Sequence, residues 1–118
     1  MSLQVASKYG AKPTIVDGVR FPSKAEASRY QELVLLERTG QISDLRCQPC
    51  FIVQPAFTDN KGRRWASIKY TPDFAYIEQG NWRRVIEEVK GHATRDYLVR
   101  VRLFLFQHPE VDFRVIGA

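Results

Sequence analysis

The chain is poor in sulfur and in unbroken apolar sequence. It has two cysteines and one methionine in 118 residues, and no run of the roughly 18 apolar residues that a membrane-crossing helix needs. Two cysteines are too few to staple a secreted scaffold, so a reducing cytoplasm is the expected compartment. Cys47 and Cys50 form a lone Cys-x-x-Cys, and only His92 and His108 remain to complete a four-ligand zinc site. Cys50 begins a strand rather than a helix, so the redox use of that motif lacks its setting. A Gly-rich phosphate loop, a nucleophile elbow and His-Glu-x-x-His are all missing, which argues against nucleotide cofactors and serine chemistry. Met1 to Lys8 lacks the charged-then-apolar layout of an export signal. Without repeats, linkers or low-complexity tracts, residues 1–118 read as one domain, with 1–20 as an N-terminal arm and hairpin.

Hydrophobic residues make up 44% and aromatics 12%, enough to bury a core without metal or disulfide staples. Lys plus Arg outnumber Asp plus Glu by 18 to 13, a formal net charge of +5. Such a surplus permits a polyanionic partner without proving one.

Val16-Asp17-Gly18-Val19 predicts a tight hairpin, because Asp-Gly suits a turn needing positive φ. Ser23-Lys24-Ala25-Glu26 has the Ser-x-x-Glu form of a capping box. Tyr30, Leu33, Val34 and Glu37 follow at helical spacing, and Gly40 suits the C-terminal cap. Strands are expected over 50–54, over a long stretch from Trp65 to Ile77 interrupted by Pro72, and over 82–90. A second helix runs from about Thr94 to Gln107, and Phe113 to Ile116 forms a last strand. The order helix, three strands, helix, strand predicts an α/β fold, a mixed central sheet flanked by helices.

The chemistry-bearing segment is Tyr70-Thr71-Pro72-Asp73-Phe74, followed by Ile86-Glu87-Glu88-Val89-Lys90-Gly91. Fourteen residues separate Asp73 from Glu88, enough for a hairpin that returns the chain beside itself. Side chains alternate along a strand, so Glu88 and Lys90 share a face and Glu87 takes the other. If Asp73 opens the neighbouring strand on the Glu88 face, three charged groups converge at a sheet edge. Two carboxylates held together need a compensating cation. A hard divalent ion such as Mg²⁺, with Mn²⁺ able to substitute, supplies it through oxygen ligands from Asp73, Glu88 and the Val89 carbonyl. Such an ion polarises a phosphoryl oxygen and acidifies a bound water. Lys90 is placed to orient that water or to stabilise the transition state. It is a poor general base, because flanking carboxylates favour its charged form. The plainer alternative makes Asp73 and Glu88 exposed strand residues paired with arginines.

Pro72-Asp73 with Glu88-Val89-Lys90 resembles the two motif halves of the PD-(D/E)XK nuclease superfamily, and the element order resembles its αβββαβ restriction-endonuclease-like core. More narrowly, the chain resembles a small phage and prophage protein family related to that superfamily. The supporting stretches are Lys8-Tyr9-Gly10, 16–21, Ser23-Lys24-Ala25-Glu26, Tyr30-Gln31-Glu32-Leu33, Gln48, Gln54-Pro55-Ala56-Phe57 and Val89-Lys90-Gly91. The resemblance implies Mg²⁺-dependent hydrolysis of DNA phosphodiesters, with Asp73, Glu88 and Lys90 catalytic. Its motif spacing favours Glu88 over Glu87. It also implies that an acid of the first helix joins the metal site, a role for Glu26. The alternative for Glu26 is completion of the capping box with Ser23.

Lys69, Thr94, Arg95, Arg100 and Arg102 are the candidate DNA contacts, beside the pairs Arg63-Arg64 and Arg83-Arg84. Lys69 shares parity with Asp73 if the strand stays regular through Pro72. Thr94 is the expected cap of the second helix, where a phosphate would also be welcome. Tyr97, Leu98, Val101, Phe104 and Leu105 make its apolar stripe, whereas Val99 and Phe106 fall on the side of Arg95 and Arg102 and suggest a homodimer surface. Trp65 and Trp82 are expected to pack the hairpin rather than stack on bases. So short a chain carries no separate sequence-reading domain, and branched or nicked DNA is the expected substrate.

Overall fold

A computed structural model describes residues 12–89 and 93–117. Lys90, Gly91, His92 and the opening stretch with Lys8-Tyr9-Gly10 lie outside the described residues. The first hairpin pairs β1 (Thr14–Val16) with β2 (Val19–Phe21). Asp17 at φ 53° and Gly18 at φ 77° make the two-residue turn, both in the left-handed region that matches strand twist.

Helix α1 (Lys24–Arg38) starts at Ser23, whose Oγ accepts the Glu26 backbone N–H at 3.2 Å. It stops where the Gly40 N–H donates to the Glu37 carbonyl (3.1 Å) and the Gln41 N–H to the Leu36 carbonyl (2.9 Å). Gly40 at φ 80° turns the chain there, which closes a Schellman motif.

The central sheet has the order β10-β9-β8-β3, from β3 (Ile42–Cys47), β8 (Phe74–Glu78), β9 (Arg84–Val89) and β10 (Asp112–Ile116). β8 runs antiparallel to both of its neighbours, β3 and β9. Helix α2 (Arg95–Gln107) carries the chain across so that β10 pairs parallel to β9, as a crossover connection requires. The sheet is therefore mixed, and αβββαβ is its order. One of the three strands is not the expected one. The stretch over 50–54 forms β4 (Phe51–Gln54), which leaves the sheet and pairs with β7 (Ile68–Tyr70). Its place is taken by β3, which has no counterpart in the sequence reading. The long stretch from Trp65 also divides, into β6 (Arg64–Trp65), β7 and β8, with Pro72 buried at the break. β6 pairs with β5 (Phe57–Thr58) to prolong the β4–β7 ribbon.

Two cores flank the sheet. Phe21, Ala27 and Leu33 pack with Ile42, Phe74, Tyr76 and Val85 beneath α1. Val101 and Phe104 of α2 pack with Ile86, Val53 and Tyr70 on the opposite face. A fully buried Phe such as Phe74 or Phe104 contributes about 1.5–3 kcal/mol of hydrophobic stabilisation. The α2 stripe differs from expectation at Leu98, which is exposed, whereas Tyr97, Leu103 and Leu105 line the core. Among the described residues no helix is long and apolar enough to cross a membrane.

Candidate active site

The register places Phe74 opposite Glu87, so Asp73, one residue earlier, stands opposite Glu88. The Asp73 N–H extends the ladder by donating to the Glu87 carbonyl at 3.2 Å, and the Asp73 carbonyl accepts from Gln48 at 2.8 Å. Its side chain turns back onto β9, where Oδ2 accepts the Val89 N–H at 2.7 Å. Asp73 is thus fixed through both backbone and side chain at the end of the sheet. Val89, expected to offer its carbonyl, is seen here through its N–H.

Glu88 alternates with Glu87 along β9 and lies on the Ile86 side, toward α2. The Tyr70 hydroxyl donates to its Oε2. Glu26, in the first turn of α1, closes the cluster from the other helix, near enough for the charge of Asp73 to raise its carboxyl. Ser23 Oγ also donates to Glu26 Oε2 at 3.2 Å. The two readings of Glu26 therefore coexist: its backbone N–H serves the cap, and its carboxyl meets Asp73.

Burial, then the charge of Asp73, pushes the Glu26 carboxyl up to about 7 against the pull of Ser23. Burial likewise pushes Glu88 up to about 7, with the Tyr70 hydroxyl opposing and Asp73 and Glu26 adding to the rise. Asp73 is raised by burial too, while hydrogen bonds from Val89, Glu26 and Glu88 pull it down. All three carboxyls are thus raised, burial being the largest cause for each. Burial and the charges of Glu88 and Asp73 push the Tyr97 phenol, on α2, up to about 12.

Among the described residues no Lys or Arg forms an ion pair with Glu26, Asp73 or Glu88, and no three His, Cys, Asp or Glu side chains stand as a ready-made metal cage. Burial without a paired described cation raises both glutamates toward the protonated form. A donor set of carboxylate oxygens suits a hard divalent ion, which would displace those protons. In the metal-free protein the raised carboxyls carry a sign. The native state holds more protons than the unfolded chain between the ordinary glutamate value and about 7. Stability from this source is complete below the unfolded value and is lost as pH rises through about 7. Melting scans in chelator should show Tm falling from pH 5 to pH 8, and Glu88→Gln should flatten the fall. An unchanged slope in that variant would separate Glu88 from the titration.

Glu87 has a different task. It is fully buried and takes Arg29 through two bonds, Nε–Oε1 at 2.9 Å and Nη2–Oε2 at 2.6 Å. Tyr76 donates its hydroxyl to the same carboxylate. Both carboxylate oxygens are engaged in the fold beneath α1.

The basic residues are dispersed. Tyr70, not Lys69, reaches the carboxylates, because the strand ends at Tyr70 before Pro72; Lys69 is exposed on the outer side of the ribbon. Arg100 is held by Asp96 (2.9 Å) and donates to the Lys69 carbonyl (2.5 Å), joining α2 to β7. Thr94 Oγ1 accepts the Tyr97 N–H at 3.1 Å, the expected cap. Arg95 and Arg102 are exposed on α2. Arg83 and Arg84 pair with Asp112 and Glu110 at the surface, contacts worth little individually. Tyr70, Tyr97 and Arg29 were missed by sequence reasoning. The signals were present: Tyr70 leads the Pro-Asp motif, and Arg29 stands one helical turn after Glu26.

A family model described as "Protein of unknown function (DUF1064)" matches residues 6–117. Neither the curated proteins nor the solved structures contain a match to the chain.

Proposed function

We propose that this chain, which belongs to the DUF1064 family of proteins of unknown function, is a Mg²⁺-dependent DNA endonuclease of PD-(D/E)XK type. One observation carries the reading: carboxyls from α1, from Asp73 just before β8 and from β9 gather at one sheet end with no cationic partner among the described residues. A purely structural trio would be expected to be paired like Glu87. Instead, no described residue compensates the charge where a cation and a phosphate would meet.

Asp73 is the fixed point, because the Val89 N–H holds its carboxylate in place before anything binds. Glu88 and Glu26 supply the remaining oxygens, and loss of their protons couples binding to pH. A bound Mg²⁺ would polarise the scissile phosphate and acidify the attacking water. The Tyr70 hydroxyl orients Glu88, and Tyr97 closes the α2 side of the pocket. Lys90 completes the Glu-x-Lys pattern, and we assign it the orientation of the attacking water and stabilisation of the transition state. Arg95, Arg102 and Lys69 supply backbone contacts. Exposed Val99 and Phe106 support a homodimer, which would set two sites on two strands as junction resolution needs. Branched or nicked DNA is the substrate class, and phage recombination or replication is the setting that the sequence resemblance suggests.

The test uses supercoiled plasmid and synthetic four-way junctions with Mg²⁺, Mn²⁺ or chelator. Cutting with either metal and none with chelator is expected. Binding without cutting in every metal would instead favour a non-catalytic DNA-binding accessory protein.

A further inference from the structure

The ribbon formed by β4–β7 and β5–β6 has no role in holding the acidic site beyond Tyr70. Its base is anchored: Val53 and Tyr70 are buried against α2, Arg100 donates to the Lys69 carbonyl, and Gln107 donates to the Val53 carbonyl. Its tip is different. β5 and β6 pack only against each other among the described elements. Lys61, Arg63, Arg64 and Lys69 are all exposed, and none forms an ion pair with another described residue. Residues 51–70 hold these four cations and the single acid Asp59, a net of 4 − 1 = +3 out of +5 for the whole chain.

Asp59 keeps its negative charge, already counted in that net, and is engaged by local structure. It accepts the N–H groups of Lys61 (2.9 Å) and Arg63 (3.0 Å) and the Trp65 indole N–H (2.9 Å). These bonds hold its carboxyl below the usual range, and they shape the turn that presents the cations. Trp65 lies nearly parallel to Phe57, with ring centroids 6.3 Å apart and planes at 16°. The Arg63 guanidinium sits over the same indole, 4.2 Å from its centroid. A nucleobase stacking on Trp65 would have to displace partners already there. The tip is therefore an aromatic wedge with guanidinium and ammonium groups around it, rather than a stacking platform. A two-stranded β-ribbon fits the major groove of duplex DNA, and fixed cations on it would meet phosphates.

We propose that the ribbon, residues 51–70, is a duplex-DNA arm that enters a groove and leads the backbone to the acidic site through β7. The choice of DNA as partner rests on the nuclease reading; the arm itself rests on the ribbon's charge, exposure and freedom from the rest of the fold.

The experiment is fluorescence anisotropy with a labelled duplex and a labelled single strand, in chelator, across a salt series, so that no cutting intervenes. Lys61→Gln/Arg63→Gln/Arg64→Gln is compared with wild type and with Arg95→Gln/Arg102→Gln. Lys61→Gln/Arg64→Gln serves as a milder variant that leaves the Arg63–Trp65 stack intact. The arm predicts tighter binding of duplex than of single strand. For the triple variant it predicts affinity weakened at least about tenfold at moderate salt, and a slope of log K against log salt shallower by about 2–3. The double ribbon variant should show a shallower slope in the same sense. Wild-type affinity and slope in both ribbon variants would overturn the arm, as would equal binding of single strand or no duplex binding by wild type at low salt. A ribbon effect on binding in a protein that cuts with no metal would sustain the arm while removing the nuclease. Undiminished binding by the ribbon variants with intact metal-dependent cutting would do the reverse.

Discussion

Asp73→Asn and Glu88→Gln are each expected to lower DNA cleavage on the order of a thousandfold or more, with the fold intact. A thousandfold corresponds to about 4 kcal/mol of transition-state stabilisation, within what a correctly held metal supplies. Both substitutions are nearly isosteric. In Asp73→Asn the amide oxygen would still accept from the Val89 N–H, so the sheet end keeps its geometry. Each removes one carboxylate from a cluster in which the charge of Asp73 raises the proton affinity of both glutamates. Thermal stability in chelator above pH 7 should accordingly hold or rise while cleavage disappears. Single-turnover cleavage rates and melting curves on the same samples check the pair of outcomes. Retained cutting in Asp73→Asn would remove that carboxylate from the chemistry.

One residue before Glu88, the same type of side chain should behave in the opposite manner. Arg29→Met leaves the fully buried Glu87 carboxylate with only the Tyr76 hydroxyl as a partner. Breaking such a pair from one side costs about 3–5 kcal/mol. Against a total domain stability of roughly 5–15 kcal/mol, that is enough to unfold a large fraction of the molecules near body temperature. Glu87→Gln leaves the Arg29 guanidinium paired only with the exposed Glu32 among the described residues and should destabilise in the same direction. Combining Arg29→Met with Glu87→Leu should recover much of the loss, because a buried ion pair is costly to desolvate and an apolar replacement is not. Urea unfolding of the singles and the double measures this. Single variants within about 1 kcal/mol of wild type, the scale of ordinary point substitutions, would show that the Arg29–Glu87 pair is not a keystone of the α1 core.

The separation of Glu87 from Glu88 was legible from strand parity, and the choice of Glu88 from the motif spacing of the resemblance and its shared parity with Lys90. Period-two alternation separates neighbours onto opposite faces, and the spacing to Asp73 indicates which face meets the returning strand. The Asp-Gly hairpin and the Ser23 and Thr94 caps were legible for similar reasons, since each depends on chemistry within a few residues. β3 was hidden because its alternation changes phase. Ile42 is buried while Leu45 and Cys47 line the same core, and the register shifts between Ser43 and Arg46, with Asp44 at φ 55°. A bulge of this kind moves apolar residues from one parity to the other. Tyr70 was hidden by the opposite event: Pro72 breaks the strand, so parity counted back from Asp73 points to Lys69. The Arg29–Glu87 and Arg100–Lys69 contacts join distant segments and leave no local pattern to read.

The central claim is that Glu26, Asp73 and Glu88 form one pocket that exchanges protons for a divalent cation. Calorimetric titration of Mn²⁺ into wild-type protein and Asp73→Asn near pH 7, in two buffers of different ionisation enthalpy, tests it without reference to DNA. Wild type should bind with net proton release, and the variant should lose both the binding and the release. Mn²⁺ uptake that is equal in the two proteins, or that releases no protons from wild type, would contradict the account.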